Sequence, residues 1–261
     1  MQYKFNLGVW GSPWIGFDNF TMLFKHPEFL RSFQNTIIIS FNMLLWGFPA
    51  PILLALLLNE LRGERFKRIS QSVLYLPHFL SWVIMTGIIF SLFSASLGVV
   101  NKALVSAGLS PWSVIGNPAT FRPMLYISSI WKSTGYGTII FMAAITGIDP
   151  ALYEAAYVDG ANRFKQCIYI TLPSLKYAII TLLILRAGGM MNSNFEQIIN
   201  LLGITTRPVG EVIDTLVYRM GVVEGRYDFA TAVELFKQVI NCALLFFTNW
   251  VVERMGEEGF V

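Results

Sequence analysis

Lys132 lies in the middle of a long apolar stretch, and Ser129, Ser133 and Tyr136 share its face at three- and four-residue helical spacing. An ammonium, two hydroxyls and a phenol on one face can hydrogen-bond a hydroxyl-rich ligand and offer it a ring to stack on. A second polar set follows at Arg186, Met190, Ser193 and Gln197, again at helical spacing, with Asn192, Asn194 and Glu196 beside it. Ionisable groups inside an apolar stretch are costly, so they point to a solute pathway or to a buried partner. Both readings stay open: Lys132 and Arg186 can line a pathway, snorkel, pair with Glu196, or bond carbonyls at a helix break. Covalent chemistry is not suggested, because no nucleophile with a partner base, no paired acids and no metal cluster stand out. His26 and His78 are isolated, and Cys167 and Cys242, without CxxC or Cys/His context, read as free packing residues. No GxxxxGK[ST] phosphate loop occurs, so the chain has no such route to ATP.

The elements that must position these groups are membrane spans. Of the 261 residues, 54% are hydrophobic and only 13% charged, and the mean hydropathy of +0.56 exceeds what a soluble core of this length needs. The net charge of +3 is too small and scattered for a nucleic-acid surface. A bilayer core about 30 Å thick takes roughly 20 apolar residues per spanning helix. Windows of that length run from Asn35 to Leu58, Val73 to Ser94, Phe121 to Gly147, Tyr177 to Ile198 and Thr231 to Val252. All read as helices, since membrane strands are half as long and alternate in polarity. The expected fold is therefore an all-α membrane bundle of five spanning helices. Pro49 and Pro51 interrupt the first window, and Gly188 with Gly189 the fourth, as possible kinks. Residues 1–34 carry Trp10, Trp14, Phe17, Phe20, Phe24 and Phe29 without an unbroken apolar run, and read as an outer interfacial segment or as a loop with surface aromatics. No cleavable signal peptide is visible.

Arg62, Arg65, Lys67 and Arg68 crowd the loop after the first window, which the positive-inside rule places in the cytoplasm. Alternation then puts residues 148–176 and the tail from Glu253 on the same side. Residues 1–34, 95–120 and 200–230 fall outside. In the last of these, Val212, Ile213, Leu216 and Val217 recur at helical spacing and predict a short helix at the outer mouth. No internal repeat or low-complexity run appears.

The cytoplasmic segment at residues 148–176 contains EAAYVDGANRFKQCIYITLP. Asp149 before Pro150 predicts a helix start, since the aspartate oxygen accepts an orphan N–H and proline suits the first helical position. The helix is expected to run to about Val158 and to end at Gly160 through a left-handed turn. A second helix is expected from about Asn162 to Tyr169, stopped by Leu172 and Pro173. Ala155 and Ala156 leave one flank thin enough for a partner backbone.

The pattern of Glu154, Ala155, Ala156 and Gly160, then Ile170, Leu172 and Pro173, resembles the signature of permease subunits of bacterial ABC importers, and every signature position is matched. The runs NFEQI, GEVIDTLVYRMG, GRYDFATAVELF and NWVVER resemble its carbohydrate branch, most of all permeases for oligosaccharides or polysaccharide fragments of the alginate and pectin-fragment type. The likeness covers essentially the whole chain. It implies a non-catalytic permease domain at residues 35–261, a multi-pass protein of the bacterial inner membrane. In such permeases Glu154 to Gly160, Asp159 included, would form the coupling helix that docks into an ATPase dimer, with Ile170, Leu172 and Pro173 completing the motif. ATP and magnesium would be bound on that partner and no cofactor on this chain. A second, different permease, an external solute-binding protein and a saccharide substrate, neutral or acidic, are implied as well. The pathway residues Ser129, Lys132, Ser133, Tyr136, Asn192, Ser193 and Asn194 would meet that saccharide. Members of the family have at least six spans with a cytoplasmic N-terminus, so a helix upstream of residue 1 is expected. An ion-driven secondary transporter or a membrane-embedded enzyme are the alternatives. Inverted repeats with acidic mid-membrane ligands would favour the former, and a catalytic cluster the latter.

Overall fold

The structure, a computed structural model, describes residues 4, 7–96, 98–254 and 256, and among them there are helices and turns but no strand. The principal helices are α1 (Asp18–Lys25), α2 (Pro27–Gly47), α3 (Pro49–Asn59), α4 (Glu64–Tyr75), α5 (Trp82–Phe93), α6 (Val99–Ser106) and α7 (Pro118–Thr146). They continue with α8 (Pro150–Val158), α9 (Lys176–Gly188), α10 (Phe195–Leu201), α11 (Ile213–Val217) and α12 (Tyr227–Arg254).

Two helical stretches are long and apolar enough to cross a membrane unbroken, Pro27–Asn59 and Tyr227–Arg254. Three bent pairs bring the number to as many as five. The first window therefore begins earlier than expected, at Pro27 rather than Asn35, and α3 restarts with Pro49 in its first turn, where a missing N–H does no harm. The second window is not one helix. α4 gives way to a tight turn at Leu76–Phe79 that contains Pro77, and Leu80 is extended before α5 begins at Trp82. The fourth also breaks, because α9 ends at Gly188 and residues 189–194 form no helix.

The chain forms two compact units. One comprises 1–42, 81–126 and 188–244. Its core joins Leu23 of α1 and Phe29 of α2 to Ile213, Leu216 and Met220, and to Phe229, Ala232 and Val233 of α12. Phe29 and Phe33 pack edge-on or tilted against Phe236. Part of the aromatic N-terminal stretch is thus core, while Trp10, Trp14 and Phe17 stay exposed. The predicted helix around Val212 exists, and Val212, Ile213 and Leu216 are fully buried. Arg219, on a wide turn after α11, gathers Glu28, Glu211 and Glu224 at 2.8 to 2.9 Å. Those carboxylates hold its guanidinium more basic than usual against the cost of burial.

The other unit comprises 43–80, 127–187 and 245–261. Its core packs Ile52, Ala55 and Leu58 of α3 against Phe141, Met142 and Ile145 of α7 and against Leu175. Leu74 of α4 and Ala178, Ile179 and Leu182 of α9 pack around it. The tail after Arg254 lies almost wholly outside the described residues.

Candidate functional site

Asp149 starts the polar hairpin as its chemistry predicts: Oδ1 accepts from the Ala151 N–H at 2.9 Å, and Pro150 is the first helical residue of α8. At the other end Gly160 takes φ +76°, and the Ala161 N–H reaches back to the Ala156 carbonyl at 2.8 Å. A Cβ on Gly160 would meet nothing within 4 Å, so its backbone angle, not crowding, requires glycine. Asn162 caps the next turn, its Oδ1 accepting from the Lys165 N–H at 2.9 Å.

The second half differs from expectation. Only Arg163–Gln166 is regular α-helix; Cys167–Thr171 widens into a π-turn, and helix persists through Leu172–Ser174, past Pro173. Pro173 stands in the first turn of that last piece, where it is tolerated, and α9 then departs at 55°. The Tyr153 and Thr171 hydroxyls meet at 2.9 Å and close the hairpin across 18 residues. Arg163 adds a contact of 3.3 Å to Glu60, just beyond α3. That ion pair is largely exposed and contributes at most about 1 kcal/mol. Glu154, Ala155, Asp159 and Gly160 are exposed and Ala156 is half-buried. Leu152, Tyr157, Val158, Phe164 and Tyr169 present apolar surface around them, Val158 at 84% exposure. Ile170 is half-buried, and Leu172 and Pro173 are exposed.

In the same unit, Ser129, Lys132, Ser133 and Tyr136 do lie on one continuous helix, α7. The Lys132 ammonium donates to the carbonyls of His78 and Leu80 at 2.7 and 2.6 Å. Bonding carbonyls at a helix break is thus a role that Lys132 fills. Ser133 donates to the Ser129 carbonyl at 2.7 Å. Tyr136 stacks on the His78 ring, centroids 3.9 Å apart and planes within 4°. Sequence reasoning passed over His78 as an isolated histidine; its place in Leu76-Pro77-His78, at the end of an apolar helix, was the available signal.

Asn192, Ser193 and Asn194 belong to the other unit, on the non-helical stretch after Gly188, so the expected helical face of Arg186, Met190, Ser193 and Gln197 does not form. Glycines 188 and 189 end the helix before that face is complete. Side chains of neighbouring helices tie the stretch down. Asn241 accepts from the Met191 N–H at 3.0 Å and donates to the Asn192 side chain at 3.2 Å. Asp214 accepts from the Ser193 N–H at 3.1 Å, and Lys237 holds Asp214 and Glu234 at 2.5 and 2.8 Å. Burial pushes the Asp214 carboxyl up, against the opposing pull of Lys237. Lys237 thus pairs both with Glu234, one turn before it on α12, and with Asp214 from outside that helix. Arg186 is exposed.

Comparison with known proteins bears on the same elements. Residues 29–251 match the family described as binding-protein-dependent transport system inner membrane component. The chain is 44% identical over 258 residues to Protein LplB of Bacillus subtilis (strain 168), covering 99% of this chain and 81% of that protein. It is 42% identical to the polygalacturonan/rhamnogalacturonan transport system permease protein YteP of the same organism, covering 99% and 80%. Among solved structures it resembles a chain of a bacterial alginate ABC transporter, in complex with alginate pentasaccharide-bound periplasmic protein. There the TM-score is 0.90 and the identity 42%, over 94% of this chain and 85% of that one. With the family model matching most of its length and these relatives matched almost end to end, the chain belongs to the binding-protein-dependent transport system inner membrane components, a family of non-catalytic, multi-pass permeases.

Proposed function

We propose that this chain is the membrane-spanning permease subunit of an ATP-driven importer in the bacterial inner membrane. It carries a saccharide that an external binding protein delivers, beside a second and different permease. The observation that carries this reading is the capped hairpin at residues 148–176. Glu154 and Ala155 are exposed on a helix fixed at both ends, amid apolar side chains that solvent would not favour. In this reading Glu154 supplies the polar contact to a separate ATPase that binds ATP and magnesium. Ala155 and Ala156 allow close approach, Asp159 and Gly160 shape the turn, and Ile170, Leu172 and Pro173 lead the motion into α9. The relatives named for rhamnogalacturonan and alginate support a polysaccharide fragment as cargo. Ser129, Lys132, Ser133 and Tyr136, with Asn192, Ser193 and Asn194, are the proposed saccharide-facing groups. Affinity for the cargo must differ between inward- and outward-facing states for ATP to drive the cycle.

Co-expressed with its ATPase, partner permease and binding protein and reconstituted into vesicles, the wild type is expected to accumulate oligosaccharide only with ATP. Glu154→Lys and Gly160→Asp are expected to insert normally yet lose nearly all ATP-driven uptake. Normal uptake by both variants overturns the docking assignment, and uptake driven by an ion gradient without ATP overturns the importer reading.

A further inference from the structure

The turn at Leu76–Phe79 and the face of α7 opposite it form a second feature of the same compact unit. We propose that His78 and Phe79 complete, with Tyr136, an aromatic platform for a sugar ring, and that Lys132 is a positioning residue for that platform; this rests on the saccharide-import reading above.

The chain stops being helical after Phe79, and a helix that ends leaves carbonyls without partners. In a bilayer no water satisfies them, so each unmade bond is costly. Lys132 meets this need with short bonds to the carbonyls of His78 and Leu80, and its positive charge suits the C-terminal end of a helical segment. One turn on, Gly135 lies against the Leu74 backbone so closely that a Cβ would overlap the Leu74 carbonyl. Two independent contacts, a charge-assisted staple and a backbone-to-backbone approach, therefore fix α7 against this turn.

Their product is a defined arrangement of rings. His78 and Tyr136 stack in parallel, and Phe79 stands edge-on to His78 at 5.8 Å and 84°. Tyr136 remains 48% exposed and Phe79 75%. A pyranose has an apolar C–H face and a rim of hydroxyls, which fits a ring face flanked by a phenol and an imidazole. An ammonium, an imidazole and two carbonyls gathered beside these rings make a surface that hydrocarbon would not favour. With its ammonium bound to two backbone carbonyls, Lys132 shapes the platform, and carboxylates on the cargo are not what it reads.

The test uses the whole reconstituted transporter with saturating binding protein and two probes, a galacturonan oligosaccharide carrying uronates and a neutral arabino-oligosaccharide. The readout is sugar moved per ATP hydrolysed. Against the better-transported probe, His78→Ala and Phe79→Ala are each expected to lower that ratio by about tenfold, the loss of one good ring contact. His78→Phe, which keeps a ring over Tyr136, is expected to retain most of it. Lys132→Met is expected to lower transport of both probes by the same factor, with partial recovery in Lys132→Arg. An unchanged ratio in Phe79→Ala and His78→Ala, in a wild type that imports with ATP, overturns the platform and leaves the importer reading standing. A loss in Lys132→Met confined to the uronate probe overturns the positioning role. Absence of ATP-driven uptake of either probe by the wild type overturns both readings together.

Discussion

Lys237 illustrates how a charge becomes tolerable inside a helix that reads as a span. Its side chain is 6% exposed, and it survives there because Asp214 and Glu234 both bond it. Asp214 has a second duty, since its other oxygen accepts from the Ser193 N–H and so anchors the broken stretch after α9. Removing one partner of a buried pair leaves the other charge poorly compensated, at a cost of about 3 kcal/mol. Asp214→Asn is therefore expected to lower the thermal unfolding midpoint of the detergent-solubilised complex. The double variant Asp214→Asn with Lys237→Met is expected to recover part of that loss; additive losses would show that the two do not act as a pair. Glu234 is legible as a Lys237 partner from its spacing of three residues. Asp214 is not, because 23 residues, a π-turn and one non-helical break separate it from Lys237.

At the scale of elements, two glycines do different work. Gly160 needs only its left-handed angle, with open space around it, whereas Gly135 has helical geometry and needs the absence of a Cβ against Leu74. An alanine at Gly160 costs roughly 1 kcal/mol of backbone strain. An alanine at Gly135 must push α7 and α4 apart. The expected order of damage in thermal unfolding is thus Gly135→Ala well beyond Gly160→Ala, with Gly160→Asn milder still because asparagine accepts the left-handed region. Equal shifts for the two alanines would refute the close approach. The hairpin's start and turn were legible from Asp149, Pro150 and Gly160, since caps are local chemistry. The π-turn at Cys167–Thr171 and the passage through Pro173 were not, because they depend on how the segment meets Thr171's partner Tyr153 and the underlying core.

Across the whole molecule, the assignment of sides rests on the positive-inside rule and on alternation of the spans, and it is open to a direct test. The basic cluster Arg62–Arg68 and the hairpin belong to one unit, while 95–120 and 200–230 belong to the other. Single cysteines at Arg65 and at Leu109, in a background of Cys167→Ser and Cys242→Ser, are expected to react oppositely with a membrane-impermeant thiol reagent. Leu109→Cys should label from outside intact spheroplasts and Arg65→Cys only after lysis. Labelling of Arg65→Cys in intact spheroplasts, with Leu109→Cys reacting only after lysis, would invert the topology and remove the hairpin from the proposed ATPase contact. What the sequence determined by itself was whatever short-range chemistry or bulk composition controls: the all-α membrane class, the helix caps, the left-handed glycine and the family signature. Tertiary structure alone decided that the second window breaks, that Lys132 is held by the carbonyls of that break, and that His78 stacks on Tyr136. The physical reason is that orphan carbonyls in a bilayer must find donors, and which donor reaches them depends on helices that meet only when the chain is packed.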